Sequence, residues 1–461
     1  MEKKLYNITD LGSGDGGKGT VVHKVATMKK AHTIVKRGGG QGQHGASNSR
    51  GEKFAFSHWG CGTLEGIQTY ISSLMIISPV GMLNEALSLK YQCGIHNAFD
   101  LLTVDKRVLC ATVYHGISSR LKELARGDNP RGTIGTGVGE AYRYLEHFSE
   151  LAIRAGDLGR SDLKDILASV RQQIITDLSS IIEGEFLPSD REEAESEIGL
   201  LYSEKFFELA TRRLSEAGQR AKIVDADYLR REILSRDGVV VVESSHGILT
   251  DHFHGFYPHV SAIRTLPCFT YARLEEAGYD GQVVNIGVHR AYEIKHGAGP
   301  MPTDDPAMAE SLLPGSHKDG NRYQGNARVG PLDLNLMRYA IEVCGGPSVF
   351  DGLAITWFDQ IQKNGVWHVC DHYRNVDDPK YFTPSGAIRI RRGVDDAQIA
   401  YQEDLGKQLF RCIPEITTHD ILSVAKQDDL YSLCASVLQE NLKVPVRMVS
   451  FGPTERDKIC K

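Results

Sequence analysis

Residues 8–20, ITDLGSGDGGKGT, constrain the fold more tightly than any other stretch of the chain. Glycine at positions 12, 14, 16, 17 and 19 disfavours helix and strand alike, while apolar residues bracket the run: Ile8 and Leu11 before it, Val21, Val22 and Val25 after it. Gly12 to Lys18 fits the spacing G-x-x-x-x-G-K. A glycine turn leading from a strand into a helix aims successive backbone N–H groups at one point. The helix dipole adds positive potential there, and a lysine adds a full charge. The run therefore predicts a phosphate-binding strand–loop–helix at the start of a P-loop-NTPase-like α/β fold. Two positions set it apart from an ordinary phosphate loop. Gly19 follows the lysine where Ser or Thr is usual, and Asp15 puts a carboxylate inside a loop built for anions.

Glycine recurs in clusters at 38–45, 132–139, 297–299 and 345–352, separated by apolar runs such as Thr33–Val35, Ser73–Ile77, Val239–Val242, Val283–Gly287 and Leu353–Thr356. The four valines at 239–242 show no alternation, which predicts a parallel strand buried on both faces. From about 160 to 236 apolar residues fall at helical spacing, and the acidic run 192–197 reads as a solvated helix face. No repeat, low-complexity linker or domain boundary stands out. The expectation is one unit over 1–461 with a large, mainly parallel central sheet and helical and smaller excursions around it.

Hydrophobic residues make up 41% of the 461 and charged residues 24%, with a net charge of -6 that argues against nucleic acid as a partner. No apolar stretch is long enough for a signal peptide or a membrane span. Nine dispersed cysteines without a C-x-x-C pair predict reduced thiols in a cytoplasmic protein.

The second glycine cluster, residues 35–47, VKRGGGQGQHGAS, carries His44 on a backbone able to wrap a ligand. A carboxylate and a histidine on two glycine loops suit acid–base chemistry at a phosphorylated centre. Together these blocks resemble the adenylosuccinate synthetase family. Its opening Gly-Asp-Glu-Gly-Lys-Gly-Lys is matched by Gly14 to Thr20, and its Gly-Gly-His-Asn-Ala-Gly-His loosely by Gly38 to His44. Its Gly-Thr-Thr-Gly-Arg-Gly-Ile-Gly-Pro-Ala-Tyr is similar to residues 132–142, GTIGTGVGEAY. Further blocks follow in the same order at Glu243–Pro258, Gly297–Thr303, Thr356–Asp359 and Ser450–Pro453.

What the resemblance implies is specific. The chain would be a GTP-dependent, Mg²⁺-dependent ligase that joins aspartate to IMP through a 6-phosphoryl intermediate, working as a homodimer whose partner lends an arginine. Asp15 would take the proton from purine nitrogen 1 and hold Mg²⁺ with the Gln43 carbonyl. His44 would act as general acid as the γ-phosphoryl moves, with Lys18 and His246 completing the catalytic group. GTP would lie against Gly14, Gly16, Gly17, Lys18, Gly19, Thr20, Gln43, His44 and Gly45, with Asp359, Ser450 and Gly452 at its guanine end. IMP would meet Asp15, Lys18, Gln41, His44, Thr133 or Ile134, His246 and Ser261.

The chain departs from the pattern at the amine-donor loop, where several family arginines shrink to Arg322 and Arg328, the residues left to hold aspartate. His246 and Gln41 replace a glutamine and an asparagine, and Trp357 replaces the lysine that stacks on guanine. Other readings of the same residues are a generic P-loop GTPase or kinase and a nucleotide-binding paralogue without activity. A metal hydrolase could also be built on His246, Asp251, His252, His254 and His259, with His252 and His254 on one strand face.

Overall fold

The computed structural model describes residues 2–316, 321–422, 424 and 426–461. An 11-stranded sheet runs through it. From one edge its strands are Lys458–Cys460, Val446–Ser450, Gly352–Thr356, Gln282–Arg290, Lys4–Asp10, Val239–Ser244, Thr33–Gly39, Gln68–Ile77, Leu102–Asp105 and Lys222–Val224, with Leu109–Cys110 also pairing to Gln68–Ile77. Every pairing is parallel except that of the last strand, Lys458–Cys460. The α/β class and the mainly parallel sheet expected from the glycine clusters are therefore present.

Burial on both faces explains the unbroken valine run. Val241 packs in the core with Val21, Val22, Ile34 and Ile71, while Val240 and Val242 pack on the other side with Leu5, Val35 and Tyr70. Each such side chain contributes about 1.5–3 kcal/mol by leaving water. Along Gly352–Thr356 the same alternation sends Ala354 to the core that holds Val21, and Leu353 and Ile355 to a second core with Phe358, Trp367 and Leu405.

Three expectations need correction. The helical stretch from 160 to 236 contains the strand Lys222–Val224, which pairs beside Leu102–Asp105 and is too short for its periodicity to show. His252 and His254 lie on a turn, not on a strand. The acidic run sits in the helix Arg191–Tyr202, yet it is more than a solvated face: Glu197 pairs with Arg120 at 2.6 Å, and Glu193 pairs with Arg322 at 3.3 Å and accepts from the Tyr323 hydroxyl.

Candidate active site

The strand order puts the chemistry at the carboxyl edge. Lys4–Asp10 lies between Val239–Ser244 and Gln282–Arg290, so the loops after these three strands, and after Thr33–Gly39 and Gly352–Thr356, open on the same side. The phosphate loop closes onto Asp10, a fully buried residue that accepts from the Gly12 and Gly16 backbone N–H groups at 2.8 and 2.9 Å and from Lys18 Nζ at 2.6 Å. Burial raises the Asp10 carboxyl, but the Lys18 ammonium outweighs it and holds the group below its ordinary pKa. Thr20 turns its hydroxyl back to the Gly17 carbonyl at 3.2 Å, and Thr356 ties the neighbouring strand to the Gly16 carbonyl at 2.7 Å.

Glycine is required at two of these positions. Gly17 has φ 82°, and a Cβ there would lie 2.6 Å from Thr356 Oγ1. A Cβ on Gly19 would drive into the Gly45 carbonyl oxygen. This packing of the first helix turn against the His44 strand explains why no Ser or Thr follows Lys18.

Asp15 occupies the left-handed region at φ 57°. Its carboxylate meets His296 Nε2 at 2.9 Å, and its carbonyl accepts from Arg290 Nε at 2.6 Å. The Arg290 guanidinium also lies over the Trp357 ring, 4.2 Å from its centre. Trp357 thus joins the phosphate loop to the helix Phe358–Asn364, whose first turn carries Asp359, held by Gln360 Nε2 at 2.5 Å. Ser450 donates to the Gly452 carbonyl at 2.9 Å, and Phe451 packs on Phe358 with ring centres 5.6 Å apart. The two segments expected at the guanine end are therefore neighbours.

His44 begins a short strand, His44–Ser47, and its Nδ1 lies 2.7 Å from Glu243 Oε1. Glu243 is buried and also meets Lys36 Nζ at 2.8 Å and the Cys61 N–H at 2.9 Å. Burial raises the Glu243 carboxyl, yet the Lys36 ammonium and the His44 ring hold it far below its ordinary pKa, so it is a carboxylate. A carboxylate only accepts, so His44 Nδ1 donates and Nε2 is the nitrogen left for a ligand. Burial also lowers the His44 pKa to about 4, leaving the ring neutral at pH 7.

His246, at φ 65°, accepts on Nε2 from the Gln41 amide at 2.9 Å. Burial, with Lys18 and His44 nearby, lowers its pKa to about 4. His44, Cys61 and Glu243 offer ligand atoms within 4.8 Å of one another, but the Lys36 ammonium already sits on that carboxylate. The histidine group expected for a metal hydrolase is not drawn together among the described residues. Asp251 is instead the anchor of its turn, accepting from the Phe253, His254 and Thr265 N–H groups at 3.1, 3.3 and 2.7 Å.

In the 132–139 loop, Thr133 Oγ1 lies 3.0 Å from Ser119 and accepts from the Gly135 N–H at 3.2 Å, with Ile134 half-buried beside it. Ser261 Oγ accepts from the Ile263 N–H at 3.2 Å. Arg322 and Arg328, expected at the amine donor, are both engaged elsewhere. Arg322 pairs with Asp190 at 2.7 Å and Glu193 at 3.3 Å. Arg328 donates to the Gly297 and Gly299 carbonyls at 3.1 and 2.8 Å and pairs with Asp304 at 2.9 Å. In the ribbon Glu293–His296 with Ala327–Gly330, His296 faces Ala327 and Lys295 faces Arg328. Faces alternate along a strand, so Arg328 leaves on the side opposite His296.

Sequence reasoning passed over Asp10, Glu243 as the partner of His44, and His296. No spacing marks Glu243 or His296, because each acts across strands far apart in sequence, whereas Asp10 stands only eight residues before Lys18, at the edge of the glycine run.

The family model for adenylosuccinate synthetase matches residues 8–459. The chain belongs to the adenylosuccinate synthetase family. It is 25% identical to the adenylosuccinate synthetase of Marinomonas sp. over 470 residues, covering 98% of each chain. It is 27% identical to that of Thioalkalivibrio sulfidiphilus over 459 residues, covering 97% of this chain and 96% of the relative. Among solved structures its fold resembles the fully ligated adenylosuccinate synthetase of Plasmodium falciparum, with TM-score 0.75, 19% identity and 99% of each chain covered. It also resembles the succinoaminodeoxyadenylate synthetase of cyanophage S-2L, solved with dGMP and with dATP as an energy donor, with TM-score 0.53 and 15% identity, covering 100% of this chain and 96% of that one. No helix among the described residues is long and apolar enough to cross a membrane.

Proposed function

We propose that this family member is a GTP-dependent ligase of purine nucleotide biosynthesis that joins aspartate to the 6-position of IMP, forming adenylosuccinate. The observation that carries this reading is the acid–base pair on the phosphate loops: Asp15 beside the anion cradle, and His44 oriented by Glu243 at 2.7 Å. Binding alone needs neither group. An oxo group leaves poorly and phosphate leaves well, so moving the γ-phosphoryl to the 6-oxygen makes attack by an amine feasible. Asp15 removes the proton from nitrogen 1, raising electron density on that oxygen. His44 Nε2 meets the phosphates, whose charge favours protonation of a ring that is neutral without them. The backbone N–H groups of the loop and Lys18 hold the phosphates in place.

Asp15 and the Gln43 carbonyl are hard oxygen donors on adjoining loops, a set that fits Mg²⁺. When bound, Mg²⁺ neutralises charge on the phosphate oxygens. At the other end of GTP, Asp359 accepts from the ring N–H and amino group of guanine, and the half-buried Trp357 ring, on the side away from Arg290, supports the base. Thr133, Ile134 and Ser261 take the nucleotide monophosphate, and a second copy of the chain completes the site with an arginine.

A second reading, ligation of another amine, is favoured by one observation: the two donor-loop arginines are tied to Asp190, Glu193 and Asp304. Turnover of purified protein with IMP, GTP, Mg²⁺ and single amino acids decides between the two. Aspartate is expected to support formation of adenylosuccinate with GTP far better than with ATP, and Asp359→Asn to erase that preference. Turnover with another amine alone moves the assignment to the second reading. Equal use of ATP and GTP by the unaltered protein contradicts the role given to Asp359.

A further inference from the structure

Positive charge without a matching anion gathers beneath the turn at residues 297–299. Lys295 is only 7% exposed and stands directly opposite Arg328 in the ribbon. A Cβ on Gly299 would lie 2.8 Å from Lys295 Cε and 2.9 Å from His259 Cβ, so the lysine stem and the imidazole flank that turn. His259 lies beside the Arg131 backbone, and its Nδ1 is buried without a partner. Among the described residues, neither Lys295 Nζ nor the Arg131 guanidinium has a hydrogen bond or ion pair. Of the acidic groups around this cluster, Asp304 is paired with Arg328 at 2.9 Å, and Glu293 lies 3.4 Å from His289 and reaches Lys295 only through space, without a hydrogen bond to it.

A buried ammonium without a directly bonded counter-ion is costly, and the Arg328 guanidinium opposite it adds repulsion. A snorkelling lysine would carry its head out to water; Lys295 stays mostly inside, at 7% exposure. The arrangement is economical only when an anion fills it. Its position names the kind of anion. Arg131 immediately precedes the loop of Thr133 and Ile134, and His259 lies two residues before Ser261. These are the loops assigned above to the nucleotide monophosphate.

We propose that Lys295, with Arg131 and His259, forms a substrate oxyanion subsite of this ligase, filled by the 5′-phosphate of the nucleotide or by a carboxylate of the amine donor. The assignment of the subsite to these substrates rests on the proposed function; the existence of an anion site does not. Full-length protein saturated with GDP, which occupies the phosphate loop, is titrated calorimetrically with inorganic phosphate. Lys295→Met is expected to weaken binding roughly 10–100-fold, and Lys295→Arg to restore most of it.

Half-saturating concentrations then separate the sources. A phosphate subsite raises the value for IMP and leaves inosine unaffected, whereas a carboxylate subsite raises the value for aspartate alone. Unchanged binding of phosphate, IMP and aspartate in folded Lys295→Met overturns the proposal. Should that variant fail to fold, Arg131→Ala, on an exposed side chain, carries the same test with the same two outcomes. The phosphate titration reads the site even if IMP proves not to be a substrate.

Discussion

Replacing His44 by alanine is expected to lower turnover by roughly 10²–10⁴-fold with little change in thermal stability. The substitution removes the ring proposed to meet the transferring phosphoryl group but leaves Glu243 paired with Lys36 at 2.8 Å, so no buried charge is orphaned. Glu243→Gln differs in kind. It removes the carboxylate that fixes the His44 tautomer and also leaves Lys36 buried beside a neutral amide, so turnover and stability fall together. Measuring kcat and melting temperature for both variants separates the roles. Near-normal turnover in His44→Ala would contradict the assignment of the histidine.

Restoring the ordinary phosphate-loop residue after the lysine is expected to harm this protein. Gly19→Ser puts a Cβ against the Gly45 carbonyl oxygen, a backbone atom that cannot move aside without displacing the strand His44–Ser47. His44 moves with that strand, and a misplacement of about 1 Å costs on the order of 10²-fold in rate. Turnover should therefore drop by about that factor or more, together with weaker GTP binding. A Gly19→Ser variant with unaltered kinetics would show that the helix and strand can separate freely, against the packing described here.

Much of this was legible in the sequence because short-range pattern and local structure coincide there. The glycine run 12–19 between apolar stretches fits a phosphate loop joining a strand to a helix, and the unbroken valines at 239–242 fit a strand covered on both sides. What stayed hidden depends on distance along the chain. Glu243 reaches His44 across 199 residues, and no periodicity encodes that meeting. Lys222–Val224 is a strand only because Leu102–Asp105 offers an edge to pair with. The acidic run 192–197 has the composition of a solvated face; its contacts with Arg120, Arg322 and Tyr323 arise from where that helix packs. Arg328 sits where the family's arginine loop resembles this chain, but strand alternation turns it away from His296.

The central claim is that GTP activates the 6-oxygen of the purine, and the fate of that oxygen tests it directly. IMP labelled with ¹⁸O at position 6 is converted with GTP, Mg²⁺ and the amine donor, and the released phosphate is weighed by mass spectrometry. The account predicts one labelled oxygen in each phosphate, because the bond between carbon 6 and its oxygen breaks after that oxygen has been phosphorylated. Unlabelled phosphate, with the ¹⁸O retained on the purine or lost to water, would contradict it.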